Sequence, residues 1–174
     1  MLHYCCKQLP SLLSDEQIEQ DHNAMRDCLA LVSGVHSDDQ DVPIAAKIWH
    51  PNLGWVAQAV NTSRLVHDAT AHAEINVIRQ ACVSMQNYRL PGCTLYVTLE
   101  PCIMCFSAMM EARISRIVFA ASDRKLGVLS KGMYRSLHAF SNHHFSWTGG
   151  VCADDASAGL VRFFRAVCRS RSSI

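Results

Sequence analysis

Thr70-Ala71-His72-Ala73-Glu74 and Glu100-Pro101-Cys102-Ile103-Met104-Cys105 carry the chemistry around which the chain is organised. His72, Cys102 and Cys105 offer one imidazole and two thiolates, a mixed nitrogen and sulfur set suited to zinc. Three protein ligands on a tetrahedral ion leave a position for water, the mark of a catalytic rather than a closed site. Glu74, two residues beyond His72, is not needed to hold the metal and stands ready as a general acid/base. Pro101 suits the first position of a helix, in which Cys102 and Cys105 share one face and the dipole favours thiolate. Thr70 is a candidate N-cap for a second helix over 71–82. A lone Cys-x-x-Cys also fits a redox pair or a zinc knuckle, and a lone His-x-Glu occurs by chance. The two motifs together, with a strand-like run before the cysteines, favour catalysis.

Outward from these motifs, Ser14-Asp15-Glu16-Gln17 reads as a helix start, with a patchy apolar stripe ending near Gly34. Residues 43–49 and 55–60 are strand-length apolar runs joined by His50-Pro51-Asn52-Leu53-Gly54, a hairpin signal. Further strands are expected at 93–99 and 116–121, with a helix at 103–111 between them. This alternation gives a layered α/β domain. A last helix is expected at 160–169, with Leu160, Val161, Phe164, Val167 and Cys168 on its apolar side and Phe163 at the edge. Arg162, Arg165 and Arg169 cluster opposite, a solvated face or a phosphate-contacting one. Residues 1–20 are taken as an N-terminal extension and 21–174 as the domain.

The 174 residues, 49% hydrophobic, suffice for one core. A formal net charge of +1 means that nucleic-acid binding must use local patches. Nine cysteines without a secretory signal suggest a reducing cytoplasm, and no apolar run is long enough to span a membrane.

The order H-x-E then P-C-x-x-C resembles the cytidine deaminase-like superfamily. The stretch from Asn87 to Cys105, Asn-Tyr-Arg-Leu-Pro-Gly-Cys-Thr-Leu-Tyr-Val-Thr-Leu-Glu-Pro-Cys-Ile-Met-Cys, is similar to the bacterial tRNA-specific adenosine deaminases. The resemblance implies a three-layer α/β/α fold with a mixed, five-stranded central sheet, whose fifth strand the sequence leaves open near 145–148. It implies one Zn2+ per subunit, a homodimer, and hydrolytic conversion of the wobble adenosine of a tRNA anticodon loop to inosine. Carried onto this chain, His72, Cys102 and Cys105 match the zinc ligands and Glu74 the proton shuttle. Asn61, Ala73, Asp123 and Phe164 match substrate-binding positions, and Phe163-Phe164-Arg165 matches the aromatic and basic start of the terminal helix; Arg162, Arg165 and Arg169 are the RNA-contact candidates by their helical spacing.

The chain departs from the family at Ala69, Phe106, Ser107, Glu111, Ala120, residues 128–131 and Arg162. None of these touches the metal or Glu74. Two rival functions stay open: deamination of a free base or nucleoside such as guanine or cytidine, and a non-catalytic zinc-stabilised nucleic-acid binding module. The second needs a fourth ligand, for which Cys93 and His67 are the candidates.

Overall fold

The computed structural model describes residues 13–34, 41–137 and 142–171. Helix α1 (Asp15–Leu31) opens at Ser14, whose Oγ accepts the N–H of Gln17, with Asp15 and Glu16 in the first turn where the dipole favours them. It is a single helix through residue 20, so the boundary expected between residues 20 and 21 falls inside it. Cys5 and Cys6 lie outside the described residues.

Strands β1 (Ala45–His50) and β2 (Gly54–Val60) form the expected hairpin. Its turn closes through Leu53 N–H to the His50 carbonyl and demands a positive φ of 71° at Gly54, which costs glycine nothing. Strands β3 (Thr94–Leu99), β4 (Arg116–Ala121) and β5 (Ser146–Gly149) complete a five-stranded sheet in the order β2-β1-β3-β4-β5. β1 runs antiparallel to both β2 and β3, whereas β3, β4 and β5 are mutually parallel. β5 therefore fills the place that the sequence left open.

Helices α2 (Ala73–Ser84) and α3 (Ile103–Glu111) cover one face, burying Ile75, Val77, Ile78, Phe106 and Met109 against β-branched residues of the sheet. Helix α1 and helix α5 (Ala153–Arg171) cover the other, over Tyr96, Val118 and Ala120. The three-layer α/β/α expectation is met. A short helical turn, α4 (Tyr134–Leu137), was not foreseen.

The register fixes where the site must form. Ala45 pairs with Val60 and Ala46 with Val97, so the C-terminal ends of β2 and β3 share one edge of the sheet. Leu99 pairs with Ala121, which brings the end of β4 to the same edge. The connections 61–72, 100–102 and 122–130 all leave from there. Ligand sites of parallel sheets form at such carboxyl edges.

The terminal helix corrects the sequence reading. It begins at Ala153, seven residues before the expected start, because small residues (Ala153, Ala156, Ala158, Gly159) hide its period. Its inward stripe is Ala156, Leu160, Phe163 and Val167, spaced for one helix face. Phe163 is 2% exposed and Phe164 51%, so Phe163 is the core residue, while Val161 and Cys168 face outward.

Across the α1 layer, the Arg116 guanidinium grips Asp21 with Nη1–Oδ1 at 2.7 Å and Nη2–Oδ2 at 2.5 Å, and Tyr96 Oη donates to Oδ1 at 3.1 Å. Arg116 Nη2 also donates to Thr148 Oγ1 at 3.0 Å, which ties β5 to the same cluster. Asp21 is 1% exposed. Removing one partner of a buried pair strands the other charge. Asp21→Ala is expected to lower the unfolding free energy by about 3–5 kcal/mol in denaturant titration, with the midpoint shifted and the slope kept.

Candidate metal centre

Asp68 organises the approach to α2. Its Oδ1 accepts Thr70 N–H and Thr70 Oγ1–H, both at 2.7 Å. That hydroxyl is thereby spent inside the turn, so the expected N-cap Thr70 gives way to His72, which holds the cap position in extended conformation. Helix α3 is likewise capped by Cys102, and Pro101 precedes the cap rather than opening the helix. His72 and Cys102 thus mark the starts of two helices that point their N-termini at one place, and Cys105 lies one turn inside α3.

His72 Nδ1 stands 3.4 Å from Cys105 Sγ and 3.8 Å from Cys102 Sγ, and the two sulfurs are 3.7 Å apart. Tetrahedral bonds of about 2.1 Å to nitrogen and about 2.3 Å to sulfur require ligand separations of about 3.6 Å and about 3.8 Å. The donor set therefore fits zinc in both chemistry and spacing. Among the described residues, this is the one group of three or more metal-binding side chains, all within 4.8 Å of one another. Neither Cys93, fully buried against Met85, nor the exposed His67 joins it. Three ligands are present, as a site with an open position requires.

The electrostatics suit a cation. The Cys102 thiol is lowered to about 5, first by its hydrogen bond with Cys105 and then by the N–H groups of Cys105 and Met104 and the nearby His72, against the cost of burial. Cys105 is pushed up by the same bond and by its own burial. A metal is bound by thiolates, so its binding displaces the thiol protons. Glu74, 4% exposed, lies in the first turn of α2, in contact with Cys105, and burial raises its carboxyl to about 7.

Two supporting residues were not anticipated from the sequence. Asn76 Nδ2 donates to the Val60 carbonyl, Thr62 Oγ1 and the Ala71 carbonyl at 3.0, 3.0 and 3.2 Å, stitching the β2–α2 loop onto its own helix. A polar residue on the inner side of an apolar helix was the available signal. Glu100, 2% exposed, accepts hydrogen bonds from the loop after β4.

The other expected site residues are distributed around this centre. Ala73 is fully buried between His72 and Glu74. Asn61 is tied down by Nδ2 to Asp41 Oδ1 at 3.0 Å and by Ser63 Oγ donating to its Oδ1 at 3.3 Å. It borders a cavity of about 630 Å³ with Thr62, Leu65 and His67, which none of the metal donors lines. Asp123 Oδ1 accepts the N–H groups of Lys125 and Leu126, closing its own turn. Phe164, Arg162, Arg165 and Arg169 are exposed on α5, in the layer opposite α2 and α3.

Residues 18–121 match the family described as the cytidine and deoxycytidylate deaminase zinc-binding region. The chain is 37% identical to the tRNA-specific adenosine deaminase of Haemophilus influenzae, over 84% of each chain. It is 42% identical to that of Agrobacterium fabrum, over 79% of this chain and 90% of the relative. A structure solved in studies of A-to-I editing by tRNA:A34 deaminases at the wobble position of transfer RNA superposes with a TM-score of 0.71. It shares 33% identity over 79% of this chain and 99% of its own.

Purified protein is expected to carry zinc that Cys102→Ala loses, whereas Cys168→Ser, remote on the exposed side of α5, retains it. Metal analysis of the two variants checks the assignment. Chelation of the wild-type zinc should lower the thermal midpoint, since a metal held by the folded state alone stabilises that state.

Proposed function

The chain belongs to the zinc-binding cytidine and deoxycytidylate deaminase family and, within it, to the tRNA-specific adenosine deaminases, and we propose on that premise that it hydrolyses the wobble adenosine of a tRNA anticodon loop to inosine. The observation that carries the reading is Glu74, a buried carboxylic acid set beside a donor trio that fits zinc and leaves a ligand position open. A purely structural zinc site has no use for such a group.

His72, Cys102 and Cys105 would hold zinc, which would supply Lewis-acid activation of water. Glu74 takes the first proton that water gives up and delivers it to the adenine ring nitrogen, then takes the second from the hydroxyl now on C6 and delivers it to the departing amine. The C6–oxygen bond forms, the C6–nitrogen bond breaks, and ammonia leaves. Burial of Glu74 keeps bulk water away from this relay. The adenine reaches the site only when unstacked from its neighbours, and an anticodon loop supplies such bases. Asn61, Ala73 and Asp123 stand at the edge where that nucleotide arrives. Phe164 offers an exposed ring for stacking a neighbouring base, and Arg162, Arg165 and Arg169 offer phosphate contacts.

The enzyme acts in the cytoplasm as a homodimer. In support, the described cysteines form no disulfide, and Val83, Tyr88 and Ile103 stand exposed on and beside α2 and α3, an apolar surface suited to a second copy. No described helix is long and apolar enough to cross a membrane.

Purified protein should form inosine in an anticodon stem-loop bearing adenosine at the wobble position, and leave free guanine and cytidine unchanged. Ammonia from the free bases alone would reject the RNA substrate. Glu74→Gln is expected to cut kcat by at least about 10²-fold with zinc content unchanged. Replacing Arg162, Arg165 and Arg169 together with alanine should weaken stem-loop binding. For every phosphate that the variant no longer neutralises, the slope of log affinity against log salt should flatten by about 0.7–0.9.

A further inference from the structure

Glu100 is a charged residue that the chemistry above does not use. Its carboxylate is 2% exposed, and no cation lies against it among the described ion pairs. A buried carboxylate without a counter-ion survives only if hydrogen bonds saturate its oxygens. Here they do. Oε1 accepts the N–H groups of Leu129 and Ser130 at 2.9 and 2.7 Å, and Oε2 accepts the Asp123 N–H and the Ser130 hydroxyl at 3.0 and 2.8 Å.

Every one of these donors belongs to the loop that follows β4. The same loop is held by Val128 N–H to the Pro101 carbonyl at 3.4 Å, and Glu100 N–H reaches back to the Ala121 carbonyl at 2.8 Å. Gly127 sits so close that a Cβ there would overlap the Glu100 carboxylate. The loop is therefore cast around one side chain, with Val128 and Leu129 buried inward while Arg124, Lys125 and Leu126 face outward. It lies at the carboxyl edge of the sheet, against the segment that leads into Cys102.

We propose that Glu100 is a positioning residue whose carboxylate fixes loop 123–130 in the shape that receives the ribose-phosphate strand beside the reactive base. The proposal rests on the RNA-deaminase reading for its substrate, but the clamp itself is a property of the fold. Glu100→Gln keeps the size of the side chain and replaces one acceptor oxygen by an NH2 group, which faces the loop donors as a donor. The clamp then loses two of its bonds, while the metal donors and Glu74 keep their atoms.

The test uses zinc-loaded full-length protein. In Glu100→Gln, amide exchange at Asp123, Leu129 and Ser130 is expected to accelerate at least about tenfold, the equivalent of about 1.4 kcal/mol of lost protection. Zinc stays stoichiometric, and KM for the stem-loop rises at least about tenfold while kcat changes less than about threefold. Ser130→Ala, which removes one donor and leaves the carboxylate intact, should raise KM by a smaller factor. Unchanged exchange, loss of zinc, or a fall in kcat with KM kept would each overturn the positioning role. Inactivity of the wild type on RNA would instead defeat the substrate reading, and the exchange measurement would still decide the clamp.

Discussion

A tetrahedral metal needs its donors about 3.6–3.8 Å apart, and that demand sets the position of α2 against α3. One donor caps α2, another caps α3, and the third follows a turn later. Neither helix can slide along the sheet without opening the trio. The sheet meets this demand through its strand directions. Because β1 is antiparallel to both neighbours, β2 and β3 run the same way, and the helices that follow them both start at one edge. The shared direction of β2 and β3, on either side of β1, is thus what brings the histidine and cysteine motifs together.

The ligand set was legible because metal chemistry restricts residue type and spacing, and both are written in a short local stretch. The layered fold was legible for a similar reason, since strand and helix periods are local. What escaped were residues whose partners are backbone groups far away in the chain. Glu100 bonds the N–H groups of residues 123, 129 and 130, and nothing in its neighbours announces them. Asn76 serves carbonyls of residues 60 and 71 in the same hidden way. The terminal helix was misjudged for a different reason. Alanine and glycine fit either side of a helix, so its first turns carried no period to read. The assignment of Phe163 and Phe164 then turned on a register that only packing against β4 settles.

The two buried carboxylates show two solutions to one problem. Asp21 is balanced by the Arg116 guanidinium, with Tyr96 and Thr148 completing the cluster, and it joins α1, β3, β4 and β5 on the face away from the metal. Glu100 has only neutral donors, all of them supplied by one loop. The first solution joins four elements through a charged pair, and the second ties one loop to the segment that leads into Cys102 through neutral donors alone.

The departures from the family follow the same division. Phe106 is buried and packs edge-on against Phe145 with centroids 5.3 Å apart, and Ala120 is fully buried beneath α1 and α5. Ser107 spends its hydroxyl on the Ile103 carbonyl one turn back, and Glu111 points to solvent at the end of α3. These changes alter packing and surface while the trio and Glu74 keep their places. Arg162 differs in kind, because it lines the groove between α1 and α5 beside Arg26 and Asp155. A cation there extends the basic side chains of α5 toward α1. The metal edge and the exposed face of α5 therefore lie in opposite layers of the fold, so Arg162 stands apart from the donor trio and Glu74.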